Sequence, residues 1–180
     1  LEKNSKIKFT LNISGCLLVR LEELGHLDFI KRIKAFIKKD QLELVGTAAY
    51  HALLPLVPEE EAVKQIKENE EILKKYFGKN FKAKGFLFYQ MNHSDDKRKT
   101  IKKMGYEWLI LDEIAYNGKL NKVDFDKNYY DLNSGLKIIF RSRKYSRCYV
   151  PDFLNKNLKK EKKEKEKLFI TATDGELYGL

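Results

Sequence analysis

The chain has 180 residues, 43% of them hydrophobic and 12% aromatic, a composition that places it among globular proteins and allows one substantial core. No apolar run approaches the roughly 20 residues that a membrane-spanning helix needs. The first residues, LEKNSKIKF, lack the continuous apolar segment of a signal peptide and lack an initiator Met, so a soluble, cytoplasmic piece of a longer chain is expected. The formal net charge is +10, but Lys156 to Lys167 hold seven Lys and three Glu and so contribute +4 of it. Alternating charges of both signs suit a solvated helix face better than a phosphate grip, and no zinc finger, RNA-binding aromatic motif or Gly-rich phosphate loop is present. Nucleic acid is therefore not the expected partner. Cys16 and Cys148 have no metal-type spacing and read as reduced thiols.

In chain order, residues 6–12 (KIKFTLN) alternate polar and apolar and predict a strand. Ser14 and Gly15 open a helix through Leu24, with Leu17, Leu18 and Leu21 inward, and Gly25 breaks it. A second helix over 27–39 carries Ile30, Ile33 and Ile37 at helical spacing, and residues 41–45 form the next strand. The loop from Thr47 to Pro58 (TAAYHALLPLVP) is too apolar for a solvated linker and is expected to pack over the end of the sheet. Pro58 suits a first helical position, and Glu59, Glu60 and Glu61 suit the positive end of the helix dipole. That helix shows Val63, Ile66, Leu73 and Phe77 as its buried face and ends at Gly78.

Residues 85–113 (GFLFYQMNHSDDKRKTIKKMGYEWLILDE) then read as a complete strand–helix–strand unit. Ser94 is the expected N-cap, Ile101 and Met104 share a face, and Gly105 sits where a left-handed C-terminal cap belongs. Residues 114–135 carry turn signals at Asn117-Gly118 and Asn133-Ser134-Gly135 and predict a long functional loop with a small hairpin. Further strands are expected over 136–140 and 168–172, with a basic helical region between them. Strands separated mostly by helices argue for a parallel α/β layer or barrel, and no linker splits residues 1–180 into two domains.

In such folds ligands meet the carboxyl ends of the strands. The residues that follow the predicted strands are Ser14, His51, Gln90 with His93, Asp112 with Glu113, Arg141 with Ser142, and Asp174 with Glu176. With Tyr50, Tyr89, Trp108 and Tyr116 they make a polar, aromatic mouth of the kind sugars favour, since hydroxyls need paired donors and acceptors while C–H faces stack on rings. Each also has a plainer reading: His51 can bond within its loop, His93 can be simple surface, Asp112 and Glu113 can cap or pair with a cation, and Asp174-Gly175-Glu176 can be an ordinary turn. There is no HExxH and no GxSxG, so neither a zinc protease nor a serine hydrolase is supported, and no metal or cofactor is expected.

These stretches together resemble glycoside hydrolase family 57, the α-amylase and 4-α-glucanotransferase group with a (β/α)7 barrel. The resemblance lies in residues 42–56 with the His-x-Leu-Leu-Pro element at His51 to Pro55, in residues 85–113, in Ile138 to Arg141, and in Asp174 to Glu176 followed by Tyr178-Gly179. It implies an α/β fold of the parallel (β/α)7 type, incomplete here because the family's first strand is not in the chain, and an α-glucan or oligosaccharide partner. It also maps the family's two catalytic carboxylates onto Gln90 and Ser142. Retaining glycoside hydrolysis needs one carboxylate to attack and one carboxylic acid to protonate, and neither an amide nor a hydroxyl does this near neutral pH.

The expectation that follows is a catalytically degenerate relative, a pseudoenzyme, with His51, Tyr89, Arg141 and Asp174 as residual sugar contacts. The alternatives are an active glycosidase or 4-α-glucanotransferase that has recruited Asp112, Glu113 or Glu176, and a metal-dependent polysaccharide deacetylase-like barrel. The oligomeric state is open.

Overall fold

The computed structural model describes residues 6–146 and 170–175. These divide into two compact units, the first within Leu1–Leu109 and Leu132–Leu136, the second within Ile110–Asp131 and Lys137–Leu180.

The first unit opens with strand β1 (Phe9–Asn12), helices α1 (Gly15–Glu23) and α2 (Leu27–Lys38), and strand β2 (Leu42–Val45). Strands β1 and β2 pair in parallel, Phe9 against Leu42 through Asn12 against Val45, as two strands joined by a helical crossover must. Helix α2 turns Ile30 and Ile33 inward, onto a core shared with Ile13, Leu18, Leu42, Leu44, Leu73 and Tyr76. On α1 the inward residue is Leu18; Leu17, expected beside it, is exposed, because consecutive helical positions point about 100° apart. The 19-residue helix α3 (Glu59–Phe77) begins one residue later than expected, with extended Pro58 as its cap. Its buried face is Ala62, Ile66, Asn69, Leu73 and Tyr76: the predicted Ile66 and Leu73 are fully buried, whereas the predicted Val63 and Phe77 lie at the edge of that face and are only half-buried.

Strand β3 (Gly85–Leu87) joins the end of β2 through a parallel bridge from Gly46 to Phe86, with the Gly46 amide donating to the Gly85 carbonyl at 2.8 Å. Helix α4 (Asp95–Lys103) starts directly after the expected cap, Ser94, whose side chain accepts from the Lys97 amide. Gly105 takes the expected left-handed turn at φ 91°. Strand β4 (Trp108–Asp112) begins in this unit beside β3.

Two glycines set how closely these pieces approach. A Cβ on Gly46 would lie 2.4 Å from the Tyr106 hydroxyl, and one on Gly85 would lie 2.2 Å from the Trp108 ring. Tyr106 stands edge-on to Phe86, and its hydroxyl donates to Glu70 at 2.9 Å. Trp108, expected at the mouth, instead opens β4 and covers Gly85, at the end of the strand away from Asp112. Lys97, on α4, is buried, and its Nζ donates to Glu59 at 2.8 Å; Thr100 bonds the other Glu59 oxygen, so one carboxylate ties the starts of two helices together.

In the second unit β4 ends beside β6 (Lys137–Arg141), and β6 pairs with the two-residue β5 (Tyr129–Tyr130). That last pairing is antiparallel, Tyr129 against Ile138 and Tyr130 against Lys137, so the sheet is not parallel throughout. The reason is local: a short connection can only return a strand beside its neighbour in reverse, and this is the hairpin signalled by Asn133-Ser134-Gly135. Tyr116, Tyr129 and Phe140 form an aromatic cluster with ring centroids 5.1 to 5.8 Å apart.

The short helix α5 (Arg143–Ser146) follows β6. Of the predicted strand at 168–172, residues 170–172 are described and are not in a strand. Their backbone groups have other partners: the Ile170 carbonyl accepts from the Ser142 amide, and Ala172 bonds the Ser146 hydroxyl and the Arg141 guanidinium. The basic segment 147–167, Cys148, Glu176 and Tyr178-Gly179 lie outside the described residues.

Candidate functional site

The first unit carries the residues that follow β2 and β3. Thr47, Ala48 and Ala49 run buried from the end of β2, as expected for a loop packed over the sheet, and a 3₁₀ turn at Leu54–Leu56 leads to α3. His51 leaves this loop exposed and in the left-handed region at φ 56°, and its ring stacks on Tyr89, 5.0 Å between centroids and 9° from parallel. Beyond β3 the chain makes another left-handed excursion, at Gln90 (φ 56°) and Met91 (φ 55°). A left-handed non-glycine residue costs roughly 1 kcal/mol or more, and three of them fall in these two loops.

Gln90 is exposed, and no hydrogen bond holds its side-chain amide among the described residues. His93, by contrast, is fixed: its Nδ1 meets Arg98 Nη1 at 2.5 Å, while Arg98 also bonds Asp95. Tyr50 directs its hydroxyl to Glu68 at 2.5 Å, on the α3 side of the loop.

The second unit gathers Asp112, Glu113, Arg141 and Ser142, and adds Arg143. Asp112 ends β4 and Arg141 ends β6, so the two strands finish at the same place. The Asp112 carboxylate, 10% exposed, accepts from Arg141 Nε at 2.9 Å and is ion-paired with Arg141 Nη2 at 2.9 Å. It also accepts from Arg143 Nε at 2.8 and 2.9 Å and from the Ile114 amide at 3.0 Å. Burial pushes this carboxyl up, but the Ile114 amide and the two guanidiniums outweigh it and hold the group below the usual aspartate range.

Glu113 is 2% exposed. Its oxygens accept from the Arg143 amide at 2.8 Å and the Asn121 amide at 2.9 Å. Ser142 is buried as well, with its amide on Ile170 and its carbonyl accepting from Ser146. Arg141 reaches Ala172 with Nη1 at 3.1 Å, and Asp174, two residues on, is exposed.

Within each unit, then, the residues predicted from strand ends do come together: His51 with Tyr89 beside Gln90 in the first, and Asp112, Glu113, Arg141 and Ser142 in the second. Arg143 was not among the predicted site residues, although Arg141 and Arg143, two apart at a strand end, fall on one side of the chain and could have been paired from that alternation. Among the described residues, no three His, Cys, Asp or Glu side chains converge as a metal site would require. No helix among them is long and apolar enough to cross a membrane.

Residues 1–179 match the family model described as Glycosyl hydrolase family 57. An α-amylase of Pyrococcus horikoshii is 31% identical over 77% of this chain and 22% of its own length. An α-amylase of Pyrococcus abyssi is 28% identical over all of this chain and 28% of its own length. The crystal structure of 4-α-glucanotransferase from Thermococcus litoralis superimposes with a TM-score of 0.79 at 22% identity, over 97% of this chain and 28% of that one. This chain thus spans about a quarter of the length of these relatives.

Proposed function

The chain belongs to glycosyl hydrolase family 57, and from that membership we propose that it is an α-glucan-handling scaffold that binds oligosaccharide without cleaving it at the family's usual pair. The observation that carries this reading is Gln90. It stands at the position the resemblance assigns to the nucleophile, exposed on a left-handed turn at the end of β3, and it presents an amide. An amide oxygen has no negative charge to deliver to an anomeric carbon, and retaining hydrolysis fails without that attack. Ser142, assigned to the acid/base position, is a buried hydroxyl whose ordinary acidity is far from that of a general acid working near neutral pH.

Two of the candidate replacement carboxylates are committed elsewhere. Asp112 is shared by two guanidiniums and an amide, and both Glu113 oxygens accept backbone amides. A carboxylate that must swing onto a sugar would first have to break these bonds. The remaining contacts suit recognition: the stacked His51 and Tyr89 rings beside Gln90 offer a flat apolar face with polar edges, and Arg141 and Asp174 offer donors and acceptors.

The test is product analysis after long incubation of the chain with maltooligosaccharides, alongside calorimetric binding. The expected result is bound sugar with no shortened or lengthened chains. Products that disappear when Asp112, Glu113 or Glu176 is changed to its amide would show a rebuilt catalytic pair and end the pseudoenzyme reading. Absence of both products and binding would end the glucan assignment itself.

A further inference from the structure

Arg143 is fixed along one edge and open along the other. Its Nε is shared between the two Asp112 oxygens at 2.8 and 2.9 Å, and its backbone amide donates to Glu113 at 2.8 Å. Among the described residues its two terminal amino groups, Nη1 and Nη2, have no partner. Arg141 differs: its Nε donates to Asp112, its Nη2 is ion-paired with the same carboxylate, and its Nη1 donates to the Ala172 carbonyl. The carboxylate of the group lies inside, with Asp112 10% exposed, while 39% of the Arg143 side chain is exposed. Two guanidiniums thus share the Asp112 carboxylate, the neighbouring Glu113 carboxylate is taken up by two backbone amides, and the terminal amino groups of Arg143 remain as unused donors.

A sugar hydroxyl is matched by neighbours that both donate and accept, whereas the free edge of a guanidinium only donates. The group that satisfies two parallel N–H donors carrying a positive charge is an acceptor-only anion with two oxygens in one plane. The anchoring of Nε and of the backbone amide removes much of the rotamer freedom that an arginine otherwise loses on binding. We infer that Arg143 reads an anionic substituent on the bound saccharide, a phosphate monoester or a uronate carboxylate, so that the ligand class of this site is an acidic oligosaccharide rather than a neutral one. This rests on the saccharide-binding reading above.

The test compares the affinity of the chain for maltoheptaose, for a phosphorylated maltoheptaose and for a glucuronate-terminated maltooligosaccharide, at low salt and at about 0.5 M salt. It is run on the native sequence and on Arg143→Gln and Arg143→Lys. At least one acidic ligand is expected to bind about tenfold more tightly than the neutral one, the size of one charge-assisted bidentate contact. That ratio should shrink with salt, fall close to one in Arg143→Gln, and fall to a few-fold in Arg143→Lys, which keeps the charge and loses the fork.

A preference for phosphate over glucuronate, or the reverse, identifies which anion is read. Equal binding of acidic and neutral ligands by the native chain overturns the inference and leaves the saccharide reading standing. Failure of all three ligands removes both. A ratio that persists in Arg143→Gln places the preference elsewhere. Should Arg143→Gln not fold, an undiminished ratio in Arg143→Lys overturns the inference on its own.

Discussion

The turn after β3 and the end of β4 are built in opposite ways. At the first, Gln90 and Met91 hold left-handed backbone, and the Gln90 side chain is exposed without a fixing hydrogen bond. At the second, Asp112 accepts from two arginines and an amide, Glu113 accepts from two amides, and both carboxylates are nearly inaccessible. One strand end spends conformational energy to present a side chain; the other spends its charges on holding itself together. Under the function proposed above the first is the place that meets the ligand, whereas the saturated ion-pair cluster of the second is a frame.

The sharpest way to break this contrast is to remove one side chain from each place. Asp112→Ala leaves two guanidiniums without their carboxylate and should cost about 3 kcal/mol, the low end for a broken buried pair because both arginines are partly exposed. Gln90→Ala should change stability by no more than about 0.5 kcal/mol. Urea denaturation of the two variants checks both, and similar losses would show that Gln90 is structural after all.

The frame of the first unit gives the next effect. Gly46→Ala and Gly85→Ala each force a methyl group into Tyr106 or Trp108 and should cost about 1–3 kcal/mol by the same measurement. Such losses would show that the open turn is carried by a tightly packed base.

Acid tests the charged cluster without substitution. The folded Asp112 carboxyl titrates below the usual aspartate range, so its contribution is complete above the ordinary aspartate value and is lost as pH falls through the depressed one. The unfolding midpoint should therefore drop on acidification, and the drop should be shallower in Asp112→Asn. Part of the slope should survive, because Lys97 and Thr100 likewise hold Glu59 below its usual range. An unchanged slope in Asp112→Asn would place the acid sensitivity outside the cluster.

The smallest effect is expected at the turn. Gln90→Gly relieves a left-handed residue and should stabilise the chain by up to about 1 kcal/mol, less what glycine gains in unfolded-state freedom. Weakened maltooligosaccharide binding in the same variant would tie the strain to the ligand; unchanged binding would leave the turn without a role.

Much of the fold was legible because its signals are local. Ser94, Gly105, Gly78 and the apolar spacing of α2 announce helix ends and faces through chemistry confined to a few residues. The structure departs from the local signals where distant groups compete. Trp108 belongs to the base rather than the mouth because Gly85, far away in sequence, leaves room for its ring. Residues 170–172 look like a strand by composition, but Ser142, Ser146 and Arg141 take their backbone groups. Asn69 and Lys97 are polar residues that turn inward only because the Gly15 amide and Glu59 wait for them there.

From sequence alone came the α/β class, the order of most elements and the amide at Gln90, since periodicity, capping and residue identity need no knowledge of neighbours. Only the tertiary structure decided which carboxylates are committed and which arginine keeps a free edge. Asp112, Glu113, Arg141 and Arg143 come from two strand ends some thirty residues apart. Partners at that separation are chosen by the pairing of whole strands, and no local pattern records the choice.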